Sequence, residues 1–146
     1  AYRPIEELVK NGDFATDSDW VLGANTTISS GVLNFNSASS NTDQSLTTTN
    51  NITYKVIFSI SNYVSGSVRF RFTGNANVNG ISRDTNGTFT QYITSTADNS
   101  IFRFASSSFI GSIDNVSVKQ ADQDEVEAKK CLADAIHRIG LQDIQN

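Results

Sequence analysis

The groups in this sequence that could move a proton or attack an electrophile are few and poorly placed for it. Glycoside hydrolysis needs two carboxylates facing each other across a cleft, but Asp13, Asp17, Asp19, Asp43, Asp84, Asp98 and Asp114 are scattered, mostly in turn contexts, and no pair stands out. A Ser or Cys nucleophile needs a positioned base. The only histidine, His137, and the only cysteine, Cys131, lie six residues apart in the last sixteen, a spacing that does not share one helical face. A single Cys makes neither an internal disulfide nor a multi-cysteine zinc site. The chain is therefore read as non-catalytic.

Recognition chemistry is better represented. Arg69 and Arg71 alternate with Val68, Phe70 and Phe72, Arg103 sits between Phe102 and Phe104, and Arg83 lies in a nearby polar stretch, so four of the six arginines fall within one β-rich region. Guanidinium forks grip carboxylates bidentately. If adjacent, these side chains suit an acidic glycan or an acidic neighbouring subunit; otherwise they make an ordinary solvated strand face. Sugar binding also needs aromatic faces. Trp20 is the best single platform, with burial in a core as its alternative, and Tyr63 and Tyr92 fall at outward or rim positions. No row of aromatics is present.

These residues need elements to carry them. Ser, Thr and Asn make up 48 of the 146 residues. Residues 1–10 read as an arm whose Leu8 and Val9 could start a first strand. Residues 11–119 read as all β, with short alternating runs between turn signals such as Asn11-Gly12, Ser30-Gly31, Ser65-Gly66, Asn79-Gly80, Asn86-Gly87 and Ile110-Gly111. About eight to ten strands are expected. Tyr54, Val56, Phe58 and Ile60 share one face of the clearest run, and with Val68 to Phe72 they are expected to form a hairpin across Val64-Ser65-Gly66-Ser67.

Residues 120–146 change character. Asp122 and Glu125 fit a capping box, and Ala128, Leu132, Ala135, Ile136 and Ile139 form one apolar stripe at helical spacing. A helix of this length is marginal alone, so the stripe should dock either on the chain's own sandwich or on a neighbouring subunit. The second reading makes it an anchor and implies association with itself or with other proteins. A net charge of −4 argues against nucleic acid as a partner. No run approaches the roughly 20 apolar residues that span a bilayer, so no membrane partner is expected.

Leu8-Val9-Lys10-Asn11-Gly12-Asp13-Phe14 with Trp20, and the closing Gly111-Ser112-Ile113-Asp114-Asn115-Val116-Ser117-Val118, resemble the first and last strands of carbohydrate-binding-module jelly rolls in the galactose-binding-like group. The central Ser61 to Val68 stretch also resembles domains appended to bacteriophage virion proteins. The resemblance covers about residues 8–119. It implies a mainly β jelly-roll sandwich, to which the C-terminal amphipathic helix is added, and in many members a structural calcium with Asp114 as one ligand and a carbonyl from the Gly12 region as another. The family's usual Glu after Phe14 is Ala15 here, so one charged ligand is missing and no resident cofactor is expected.

The function these readings imply is that of a non-catalytic virion structural protein of a bacteriophage, in capsid decoration or the tail, presenting the sandwich outward and attached by arm and helix. The alternative is an extracellular glycan-binding module that targets a cell surface or polysaccharide. Arg69, Arg71, Arg103, Tyr63 and Trp20 are the expected glycan or partner contacts.

Overall fold

A computed structural model describes residues 5–121; the proposed anchor residues Ala128, Leu132, Ala135, Ile136 and Ile139 lie outside them. The compact unit spans Glu6–Gln120. Its seven strands are β1 (Thr26–Ser29), β2 (Val32–Ala38), β3 (Asn41–Thr48), β4 (Thr53–Thr73), β5 (Val78–Asn79), β6 (Gly87–Thr94) and β7 (Asn99–Gln120). Every pairing is antiparallel.

Two long strands organise the fold. β4 and β7 pair along nearly their whole length, with Tyr54 opposite Gln120 and Thr73 opposite Ile101. The ribbon folds over at its middle, where the register shifts between Ser61 and Ser67 and Asn62, Gly66 and Ser108 take positive φ. Bulges of this kind sharpen bending and twist. Gly66 is required here for two reasons: its φ is 78°, and a Cβ would stand 2.1 Å from the Ser108 carbonyl oxygen.

Folding the ribbon creates two layers. The first holds β3, the early part of β7, the late part of β4 and β5; the second holds β6, the early part of β4, the late part of β7, β2 and β1. Their inner faces meet through rings: Phe58 lies 6.4 Å from Phe70 and 5.4 Å from Phe104, and Tyr54 lies 5.6 Å from Phe72. Each such pair contributes roughly 0.5–1.5 kcal/mol beyond area burial.

The expected β-sandwich is therefore present, with two corrections. Tyr54–Ile60 and Val68–Phe72 are not a hairpin but two halves of one strand, because the Ser65-Gly66 signal makes a bend instead of a reversal. The strand count is seven instead of eight to ten for the same reason, since β4 and β7 pass through the fold unbroken. By contrast, Ser30 (φ 54°) and Gly31 (φ 74°) do reverse the chain between β1 and β2, as two consecutive positive φ values in a two-residue loop should.

The N-terminal motif closes against the end of β7. The Leu8 N–H donates to Val118 O (2.9 Å) and the Val116 N–H to Gly12 O (2.9 Å). A Cβ on Gly12 would meet Val116 O at 2.2 Å, so only glycine permits this approach. Buried Gln44 of β3 fixes the arm from the other side, accepting from the Lys10 N–H and donating to Lys10 O.

Candidate functional site

Strict alternation in β4 and β7 turns Phe70, Phe72, Phe102 and Phe104 inward and Arg69, Arg71 and Arg103 outward. Pairing then brings the arginines together. Arg71 stands directly opposite Arg103, Arg69 opposite Ala105, and Arg103 opposite Asp43 of β3. One row across the outer face of the first layer thus reads Asp43, Arg103, Arg71, Asn79.

Each end of the row orients an arginine. The Arg103 Nε and Nη2 donate to the two Asp43 carboxylate oxygens at 2.7 and 2.9 Å. This bidentate hydrogen bonding raises the Arg103 guanidinium pKa above its ordinary value, against a smaller opposing effect of desolvation. Arg71 Nε donates to Asn79 Oδ1 at 2.5 Å, which leaves its terminal nitrogens for other acceptors. Like charges directly across a strand pair are ordinarily destabilising. A single carboxylate on this stretch leaves two formal positive charges uncompensated.

The remaining expected contacts lie elsewhere. Trp20 is 8% exposed, stacked on Phe104 at 6.0 Å and edge-on to Phe102, and its Nε1–H donates to Asn11 O. It is a core residue, and its role as a sugar platform is corrected. Tyr63 packs at the bend, 6.1 Å from Phe109, with its hydroxyl donating to Gly66 O. Arg83 does not join the arginine face: its backbone bridges Val68 and its guanidinium lies 4.5 Å from the centre of the Phe89 ring. Tyr92 lies on the second layer beside Lys55.

The implied calcium site can be tested on the oxygens themselves. Calcium takes six to eight oxygen ligands. Gly12 O accepts the Val116 N–H, Asp13 Oδ1 the Ala15 N–H and Asp114 Oδ1 the Asn115 N–H. The Thr16 and Ser18 carbonyls converge on the Asn11 side-chain amide, at 2.6 and 2.8 Å, so an N–H donor stands where a cation would gather them. No cluster of three Asp, Glu, His or Cys side chains occurs among the described residues. Gly12 O, Asp13 Oδ1 and Asp114 Oδ1 are thus each engaged by a backbone N–H, and with Ala15 in the position of the family's carboxylate they offer a cation fewer charged ligands than the resemblance implies.

Sequence reasoning missed Asp43 and Asn79 as the groups that aim the arginines, and Asn11 as the organiser of the 11–19 loop. No local pattern reveals Asp43, sixty residues from Arg103, whereas Asn79 is only eight residues from Arg71 and was legible as part of a turn signal, not as a partner. The Asn11-Gly12 pair was legible only as a turn.

No protein-family model and no curated protein matches this sequence. Among solved structures, a CBM4 carbohydrate-binding module superposes with a TM-score of 0.55 at 13% identity, covering 70% of this chain and 95% of the module. A variant of a family 29 carbohydrate-binding module, made to probe ligand recognition, gives a TM-score of 0.51 at 8% identity, covering 80% of this chain and 82% of that one. Part of a bacteriophage CBA120 tailspike protein gives 0.47 at 17% identity, covering 79% of this chain and 21% of that one, a score too low to argue a shared architecture. At these identities the likeness concerns architecture alone, and that architecture is a carbohydrate-binding-module-like jelly roll.

Proposed function

We propose that this chain is a non-catalytic binding module that takes a carboxylate-bearing glycan on the outer face of its first layer. The observation that carries the proposal is the grouping of Arg69, Arg71 and Arg103 on one outer face, with two of the three guanidiniums pre-oriented by Asp43 and Asn79. Fixed forks lose less rotamer freedom on meeting a planar anion than free ones do. The inward placement of the aromatic rings supports an acidic ligand over a neutral one, because stacking surface is what a neutral sugar would require.

A second reading, presentation of the sandwich on a bacteriophage particle as capsid decoration or tail component, is favoured by one observation. No aromatic ring is among the large hydrophobic side chains left exposed in the described residues, and an acidic protein neighbour needs none. Changing Arg69→Gln with Arg71→Gln separates the two. For a glycan module, binding to a soluble polyuronate falls about tenfold or more while neutral polysaccharides are unaffected, and the loss shrinks as salt screens the native protein. For a particle component, incorporation falls instead, and Leu132→Asp with Ile136→Asp abolishes attachment while leaving the sandwich folded. If neither quantity changes, the arginines are only solvated and both readings of this face fail.

A further inference from the structure

The outer face of the first layer has margins as well as a cationic centre. At one margin the Val21 N–H donates to Asp43 O at 2.7 Å and the Asp43 N–H to Val21 O at 2.9 Å. That exchange sets the two residues directly opposite, with their side chains on the same side of the sheet. Asp43 points outward to Arg103, so Val21 points outward too. It is 73% exposed and begins the row that continues through Asp43, Arg103 and Arg71.

At the other margin the chain runs on past β5 beside β4. The Gly80 N–H donates to Phe70 O at 2.8 Å, and Val68 and Arg83 exchange both backbone hydrogen bonds, at 3.0 and 2.8 Å. Between these two attachments β4 has one residue, Arg69, and the opposing segment has two, Ile81 and Ser82. This is a β-bulge, and both of its residues are exposed, Ile81 by 54%. The bulge is held in place. The Ile81 N–H donates to Gln91 Oε1 at 2.9 Å, and a Cβ on Gly80 would meet the Phe70 ring at 2.3 Å, so the chain lies tight on the core immediately before Ile81.

Ile5, Val21, Val64 and Ile81 are the large apolar side chains left exposed among the described residues, and two of the four flank this one face. Between them Arg69 and Arg71 make no ion pair with any described residue. Protein interfaces have the reverse layout, an apolar centre within a polar rim. Resting on the carboxylate-glycan reading above, we infer that the ligand is an acidic glycan bearing acetyl groups. It lies across the strands, its carboxylates on Arg69 and Arg71 and its acetyl methyls on Val21 and Ile81. Four strand steps separate the two margins, about 19 Å, a span for an oligosaccharide and not for a single sugar. Valine and isoleucine offer no π face to a sugar ring, but they do cover a methyl group, and their stiff χ1 leaves little freedom to lose on contact.

The test is calorimetric titration of the full chain with a polyuronate and with the same polyuronate O-acetylated, matched in chain length. Acetylating hydroxyls leaves every carboxylate in place, so the two polymers differ in apolar groups and not in charge. The acetylated polymer should bind about fourfold or more tightly, the worth of covering one methyl-sized group. Val21→Ser with Ile81→Ser should bind the two polymers with equal affinity, and each single change should lose part of the preference; circular dichroism checks that the variants fold. Equal affinity in the native chain, or a preference that survives the double change, overturns the inference and leaves the carboxylate reading standing. Binding of neither polymer overturns both.

Discussion

The two faces of β4 and β7 are made by alternate residues of the same strands, yet they do opposite work. Inward, Phe58, Phe70, Phe72, Phe102 and Phe104 pack ring to ring in a cluster that Trp20 joins through Phe102 and Phe104; outward, Arg69, Arg71 and Arg103 lie on one face, where Arg103 alone is paired with a carboxylate. The difference teaches that this sandwich has committed its aromatic surface to closing the fold over the bend. What remains for recognition on the first layer is charge and hydrogen bonding.

Breaking the inner face should have the largest effect. Phe104→Ala removes a fully buried ring that touches Trp20, Phe58 and Phe102, and chemical denaturation should show a loss of about 3–5 kcal/mol. The outward neighbour Arg103→Ala, measured the same way, should cost less, about 1–2 kcal/mol, because the bidentate pair with Asp43 is only half-buried and partly screened by solvent. Equal losses would erase the distinction between the faces.

The loop end of the sandwich comes next. Asn99, 2% exposed, accepts the N–H groups of both Asn75 and Ala76 on its Oδ1, which ties the β4–β5 connection to the start of β7. Asn99→Ala strands two donors and should cost about 1–3 kcal/mol, with amide exchange accelerated in residues 74–77. A loss confined to global stability without local exchange would contradict the tie.

Asp43→Asn sharpens the comparison because its two consequences have opposite signs. It should lower stability by about 1 kcal/mol or less, yet strengthen binding of acidic polysaccharide by removing the one negative charge on the face. The smallest effect is expected from a chelator. Loops closed by Asn11 and by the Gly12–Val116 contact should leave the thermal midpoint within about 2 °C of its value in calcium, whereas a fall of about 10 °C would restore Asp114 as a ligand.

Sequence periodicity made the inward and outward sets of the two halves of β4 readable, because alternation is local and the core residues are regular over Tyr54–Ile60 and again over Val68–Phe72. It did not reveal whether Ser61 to Ser67 reverses or bends. That outcome depends on pairing with Ser107 and Ile110, forty or more residues away, and on the close approach of Gly66 to Ser108. Trp20 was legible as either platform or core, and only the arrival of Phe102 and Phe104 decides for the core. The arginine face was legible as three side chains of one parity; of the groups that orient it, Asp43 comes from a strand sixty residues away that no spacing rule could name, while Asn79, eight residues from Arg71, was hidden by its reading as a turn.

The central claim is that the outer face of the first layer binds carboxylate-bearing glycan through its guanidiniums. Calorimetric titration of the native full chain with a polyuronate and with a neutral polysaccharide of similar length, at low and at physiological ionic strength, tests it most directly. Binding to the polyuronate alone is expected, weakening steeply between the two conditions as the screening length falls to about 8 Å. Binding to the neutral polymer, or binding to the polyuronate that salt does not weaken, would contradict it.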